Sequence, residues 1–143
     1  MKDASGLVRT WLYGVLNGTV TYNAVTVPVY SFPPKDAAMP YMLIAEQSTG
    51  SELDESTKDC YIAPYYVTLE IYASEEVNDA SYVPVNTIAD SALQLIRTRT
   101  MPTISGYNVI SRIYEGGVTD RFDLGNKIVI FKSMNFKLII EET

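Results

Sequence analysis

Two stretches of the sequence repeat apolar residues at the three- and four-residue spacing of an amphipathic α-helix. The first stripe comprises Leu7, Val8, Trp11, Leu12, Val15 and Leu16. Ser5 is placed to cap the start of this helix, and Gly18 is placed to end it. The second stripe comprises Val85, Ile88, Ala89, Ala92, Leu93 and Ile96. Pro84 suits the first turn of this second helix, with Ser81 or Asp79 as its cap.

Stretches rich in β-branched and aromatic residues predict the strands. Residues 19–22 and 26–30 predict a short hairpin, and Pro28 places its second strand at a sheet edge because proline has no N–H to donate. Residues 41–48 predict the next strand. Residues 65–73 then alternate, with Val67, Leu69 and Ile71 on one face and Tyr66, Thr68, Glu70 and Tyr72 on the other. Pro64 predicts an edge or a bend near the start of this strand.

Two further strands are predicted at the end of the chain. Residues 107–114 and 127–140 are the strands, and the charged residues 118–126 between them are predicted to be a hairpin connection. Lys132 interrupts the apolar face of the last strand, which therefore should bend or extend beyond the core there. The element order predicts an α+β fold: a mainly antiparallel sheet of about four long strands plus a short hairpin, with two helices packed on one face.

The composition of the chain excludes several kinds of catalytic site, metal site and cross-link. The chain has 143 residues, enough for one domain, and contains no histidine and a single cysteine, Cys60. Histidine-dependent triads, imidazole metal ligands, internal disulfides and cysteine-cluster zinc sites are therefore excluded. No phosphate-binding loop, dinucleotide fingerprint or nucleophile elbow is present, so we expect no cofactor and no metal, whereas an enzyme that works with carboxylates alone remains possible. With no signal-peptide core and no apolar run long enough to span a membrane, we expect a soluble protein made in a reducing cytoplasm.

The acidic residues are concentrated in one part of the chain. Net charge is −6, but residues 44–79 alone carry −8 and the remainder +2. The centre of this acidic window is a long polar loop at about residues 49–60 that contains Glu52, Asp54, Glu55 and Asp59. These acids could be solvated, could bind Ca²⁺ or Mg²⁺, or could form a surface that repels a passing polyanion; their spacing does not match the calcium-loop pattern. The acidic balance also disfavours general nucleic-acid binding.

Tyrosine is enriched, with eleven in the chain and five between Tyr61 and Tyr82. Strand propensity and core filling account for some of them. Tyrosine also supplies a large rigid contact area with a polar end, which suits subunit interfaces. Tyr66 and Tyr72 share the outer face of the alternating strand, so we predict a subunit interface there.

Several local patterns, taken together, resemble the tail-completion or tail-terminator proteins of long-tailed bacteriophages. The patterns are the opening helix followed by β structure ending at Pro28-Val29-Tyr30, the proline-led strand at residues 39–46, the alternating strand at 67–73 followed by a helix through Ile88-Ala89-Asp90, and the residues 106–112 followed by a long final strand. The chain departs from the family in its Tyr72-Ala73-Ser74, where a Trp-Ser pair is frequent, in its lack of histidine and in its acidic loop.

The resemblance implies a single tail-terminator-like domain, residues 1–143, that acts as a structural virion protein. Such proteins form a homo-oligomeric ring, commonly a hexamer, that closes the tail tube and docks to the head connector or neck proteins. DNA would cross the lumen without specific binding, and the resemblance also implies that the protein is not an enzyme. We then expect Glu52, Asp54, Glu55 and Asp59 to face the lumen or the neighbouring ring.

Three alternatives remain open at this point. One is a neck or collar ring between portal and tail, with twelvefold symmetry. Another is a carboxylate-dependent enzyme or small-ligand binder, which needs acids converging in a concave pocket. The third is a host cytoplasmic protein of unrelated role.

Overall fold

The fold is built around a five-stranded sheet in the order β3-β4-β5-β7-β6. A computed structural model describes residues 3–50, 61–76, 81–98 and 100–143. The helices are α1 (Ser5–Leu16) and α2 (Val83–Ile96), and the strands are β1 (Thr21–Tyr22), β2 (Val25–Thr26), β3 (Val29–Tyr30), β4 (Tyr41–Thr49), β5 (Ile62–Glu76), β6 (Tyr107–Asp123) and β7 (Lys127–Glu142). All pairs in the main sheet are antiparallel except β3–β4, which is parallel. The predicted α+β class, mainly antiparallel with four long strands, is therefore confirmed.

Both helices cover the same face of the sheet. The stripe of α1 buries Val8, Leu12 and Leu16 completely. Helix α2 buries Pro84 and five residues of its stripe, Val85, Ile88, Ala89, Ala92 and Ile96, and Leu93 of the stripe is partly buried. The sheet contributes the alternating residues of β5 and β7, which include Leu69, Ile71, Met134, Phe136 and Leu138. Removal of this apolar surface from water is the main force that holds the two layers together.

The ends of the helices differ in part from the prediction. Ser5 is the first residue of α1 and not its cap, and its N–H and Oγ instead donate to Asp3 Oδ1 at 2.9 and 2.6 Å. These bonds lower the pKa of the Asp3 carboxyl below its usual value, because they favour the charged form. Gly18 follows α1 with φ of 74°, as a helix-ending glycine should. Pro84 lies in the first turn of α2, and Ser81 Oγ accepts from the Val83 N–H at 3.1 Å.

Three strand predictions are corrected. The small hairpin is shorter, because the pairs Thr21–Thr26 and Tyr22–Val25 close it around Asn23 and Ala24, both with positive φ. Val29 and Tyr30 form a separate edge strand of the main sheet. Residues 118–123, predicted as a connection, belong to β6, because β7 supplies backbone partners up to the pair Asp123–Ile128. Pro64 lies within β5 and pairs with Ile139 of β7. The pairing of β5 with β4 ends at its neighbour Tyr65, which lies opposite Thr49.

Lys132 does not interrupt the sheet. It pairs with Ile71 on the helix-covered face, and its Nζ donates to Asn86 Oδ1 on α2 at 3.1 Å. The aliphatic part of a lysine side chain covers apolar surface while its ammonium group reaches a polar partner. Strand β7 therefore continues through Lys132 without leaving the core.

Arg9 of α1 holds the irregular part of β4. The register of β4 against β5 shifts between Ile44 and Gln47, which leaves carbonyl groups outside the regular ladder. The Arg9 guanidinium donates to the carbonyl oxygens of Ile44 and Ala45, to Gln47 Oε1 at 3.2 Å and to Ser31 Oγ at 3.1 Å. One side chain thus joins the first helix to the irregular strand.

Candidate functional site

The open face of the sheet, opposite the helices, carries the residues predicted to make subunit contacts. Tyr66, Thr68, Glu70 and Tyr72 of β5 lie on it, because their neighbours Val67, Leu69 and Ile71 are buried under the helices. No helix among the described residues covers this face. The predicted division of β5 into a core face and an outer face is therefore correct.

Five aromatic side chains form a continuous row across the open face, one from each strand of the main sheet. We call Tyr30, Tyr41, Tyr72, Phe131 and Phe122 the aromatic row. Successive ring centroids are 5.8, 5.2, 5.8 and 5.1 Å apart, all within the range of favourable aromatic pairs. The row arises from register, since Tyr41 lies opposite Tyr72 and Tyr72 lies opposite Phe131. It runs across the whole sheet, from the edge strand β3 to the edge strand β6.

Tyr72 is the most constrained member of the row. Its ring stacks on Tyr41 and on Phe131, and its hydroxyl donates to Glu70 Oε2. Burial and the neighbouring Glu70 carboxylate raise the pKa of the Tyr72 phenol well above its ordinary value, and they raise the pKa of Tyr41 for the same reasons. Tyr72 is therefore kept neutral and fixed in orientation, which suits a contact residue and not a proton-transfer group.

The raised pKa of Tyr72 predicts a fall in stability at alkaline pH. The unfolded chain releases the Tyr72 proton near pH 10, whereas the folded chain keeps it to a higher pH. Rising pH therefore favours the unfolded form and lowers the free energy of unfolding. The contribution is fully present below pH 10 and is lost above it. Urea unfolding between pH 8 and 11 should show a shallower decline for Tyr72→Phe than for the natural chain. An identical decline in the two proteins would contradict the assignment to Tyr72.

A polar groove lies beside the aromatic row on the open face. It encloses about 550 Å³, and its polar lining residues are Gln47, Ser48, Tyr66, Thr68, Glu115 and Asn135. Thr68 Oγ1 donates to Asn135 Oδ1 at 2.9 Å, and Lys137 Nζ lies 5.8 Å from the centroid of the Tyr66 ring. Glu115 is the one carboxylate among the described lining residues, whereas paired-carboxylate catalysis needs two acids in one cleft.

The two edges of the sheet carry apolar surface. Beside β3 lies a pocket of about 420 Å³, the edge pocket, lined mainly by Tyr22, Val25, Val27, Pro28, Tyr30 and Met39. At the other edge lies the hairpin tip, residues 118–127, which comprises the end of β6 and the turn that joins β6 to β7. The residues of the hairpin tip are exposed. Phe122 of the tip is 52% exposed and Leu124 is 59% exposed.

The predicted acidic site lies outside the described residues. Glu52, Asp54, Glu55 and Asp59 all belong to residues 51–60, so their arrangement stays a prediction. Within the described ranges, no group of three acidic or cysteine side chains is arranged to hold a metal ion. Neither α1 nor α2 is long and apolar enough to cross a membrane.

Tyr66 and Tyr72 do lie on one face, but they belong to different surroundings. Tyr72 is in the aromatic row, and Tyr66 lines the polar groove six residues away. Sequence reasoning missed Tyr30, Tyr41, Phe131 and Phe122 as their companions. The alternation along each strand predicts which of its residues share a face. It does not predict the register between strands, and that register brings the five rings together.

Comparison with known proteins gives a likeness of structure but none of sequence. No protein-family model matches the sequence, and no curated protein matches it. A chain in the virion of a native gene transfer agent (GTA) particle superposes with a TM-score of 0.74 at 13% sequence identity, over 99% of both chains. The two chains share a fold. The likeness includes the helices and the whole sheet, since almost no residue of either chain falls outside it.

Proposed function

We propose that this protein is a structural component of a virion of phage type and has no enzymatic role. The observation that carries the proposal is the fold shared, end to end, with a chain of a gene transfer agent virion. The order of elements and the motifs of the tail-terminator resemblance point in the same direction. The open face offers aromatic and polar contact surface, and its groove lacks a pair of converging acids among the described residues.

Within the virion, we propose that the protein forms a ring, of six copies, at the head–tail junction. The ring terminates the tail tube and joins it to the head connector or neck proteins. DNA passes through its lumen without specific binding, which the net charge of −6 supports because DNA binders usually carry a basic surplus. Tyr66 and Tyr72 contribute to the contact between subunits, with Tyr72 acting as part of the aromatic row rather than alone.

Native mass spectrometry and electron microscopy of the purified protein test the ring. The expected species has six times the 15.9 kDa mass of one chain, either alone or after addition of tail tubes. A species of twelve chains would favour the neck or collar ring instead. A monomer at high concentration, both alone and with tail tubes, would overturn the ring. Detection of the protein in purified particles tests the virion location independently.

The acidic loop gives a second test of the same function. We propose that Glu52, Asp54, Glu55 and Asp59 face the lumen or the neighbouring ring, where their charge keeps DNA from adhering. The variant Glu52→Gln, Asp54→Asn, Glu55→Gln, Asp59→Asn should lower particle titre or reduce the fraction of tailed heads seen in micrographs. Asp90→Asn, which removes one exposed charge from α2, is the control and should leave both unchanged. Normal titre and normal assembly in the fourfold variant would refute the role of the loop.

A further inference from the structure

Two exposed apolar patches among the described residues lie on opposite edges of one sheet. The hairpin tip borders β6, and the edge pocket borders β3. A contact between different patches on two copies is head-to-tail, and a repeated head-to-tail contact closes into a ring when the rotation allows. We propose that the hairpin tip of one copy docks into the edge pocket of the next copy. This proposal rests on the proposed ring and adds a contact between sheet edges to the contact proposed for Tyr66 and Tyr72.

The patches also lie at the same level along the strands. Tyr41 follows directly after the pocket residues Met39 and Pro40 and lies opposite Tyr72. Tyr72 lies opposite Phe131, and Phe131 lies opposite Asp120, at the base of the tip. A planar ring needs its two complementary patches at one height. The register of the sheet places the edge pocket and the hairpin tip at the same level along the strands. The aromatic row would then continue from Phe122 of one copy to Tyr30 of the next.

The surfaces match in chemistry. The tip presents Phe122 and Leu124, and the pocket wall includes Val25, whose side chain is 66% exposed. Phe32, two residues after the pocket residue Tyr30, is 91% exposed, which is unusual for a phenyl ring and offers a second large apolar group to an incoming partner. Aromatic and aliphatic side chains of this kind form the centre of stable interfaces.

The charges around the patches favour a second copy as the occupant. The tip carries Asp120, Arg121 and Asp123, and the loop beside the pocket carries Lys35 and Asp36, all of them exposed. Each patch thus carries both signs beside its apolar centre, so the tip of a second copy brings acidic and basic groups that can pair with Lys35 and Asp36. An anionic partner such as DNA would find no surplus of positive charge at either patch.

Cross-linking tests the contact directly. In a Cys60→Ser background, Val25→Cys and Leu124→Cys place one thiol at the pocket and one at the tip, and a short bismaleimide joins thiols that are close. The double variant should give a ladder of covalent oligomers that ends at the ring. A mixture of the two single variants should give covalent dimers only, and each single variant alone should give none.

Each other outcome has a defined meaning. Covalent dimers from Leu124→Cys alone would show tip-to-tip contact and would overturn the proposal. An intact ring whose thiols at residues 25 and 124 do not cross-link would overturn this contact and leave the proposed function standing. A chain that remains monomeric, alone and with tail tubes, would overturn the ring and this contact together.

A charge placed at the tip provides a second measurement that does not depend on cross-linking. Leu124→Asp should weaken ring assembly on the order of tenfold or more, because it puts a carboxylate into an apolar pocket. The far-ultraviolet circular dichroism should not change, since Leu124 is exposed in the single chain. Leu7→Asp, at an exposed apolar position on α1 outside both patches, is the matched control and should assemble normally. Equal assembly of the two variants would count against the tip.

Discussion

Phe136→Ala is expected to lower the free energy of unfolding by about 3–5 kcal/mol. Phe136 is 1% exposed, lies opposite Val67 of β5 and Tyr114 of β6, and has its ring centroid 5.3 Å from that of Tyr114. Truncation removes the buried ring and leaves a cavity beneath the helices, and both effects destabilise the folded chain. Urea denaturation followed by circular dichroism measures the change, with an unaltered m-value as a check on the denatured state.

Phe122→Ala is the matched control because it removes the same side chain from the same sheet at an exposed position. Phe122 stacks on Phe131, so its loss should cost about 0.5–1.5 kcal/mol. The difference between the two variants isolates burial from residue type. If Phe122→Ala were as destabilising as Phe136→Ala, the hairpin tip would be part of the folding core and not a surface available for docking.

The helices and the alternating strand could be predicted because their apolar spacing records burial directly. Val67, Leu69 and Ile71 are buried as the alternation indicated, and the stripes of both helices face the sheet except at Leu7, which is exposed. The end of β6 could not be predicted in this way. Residues 118–123 mix Val118 and Phe122 with three charged residues and are exposed, so their strand conformation depends on pairing with β7. Tertiary hydrogen bonding outweighed local composition there.

The candidate site was predictable only in part, for a related reason. Sequence reasoning selected Tyr66 and Tyr72 from the outer face of one strand, and both lie on that face. The aromatic row and the edge pocket depend on which residues of different strands become neighbours. The distances between these side chains follow from the register between strands and from the turn at Asn23 and Ala24. Neither feature has a strong signal in the sequence.

Arg9 illustrates the same point for a polar residue, because on the sequence it is one charge on a helix. In the folded chain it joins α1 to the irregular register of β4 through the carbonyl oxygens of Ile44 and Ala45 and the side chain of Gln47. A hydrogen bond to a charged group contributes about 1.5–3 kcal/mol, and carbonyls left without a partner add a desolvation cost. Planar guanidinium groups suit several acceptors at once.

Arg9→Met is therefore expected to destabilise the chain by about 2–3 kcal/mol, because the apolar stem remains while every donor is lost. Arg9→Lys should lie between, since an ammonium group keeps the charge but cannot reproduce the fork. Arg97→Met, at an exposed arginine just after α2, is the control and should cost less than about 1 kcal/mol. Equal losses for Arg9→Met and Arg97→Met in urea denaturation would mean that water replaces the guanidinium at the β4 irregularity. In that case the hydrogen bonds of Arg9 would not be what stabilises the irregular register of β4 beneath the first helix.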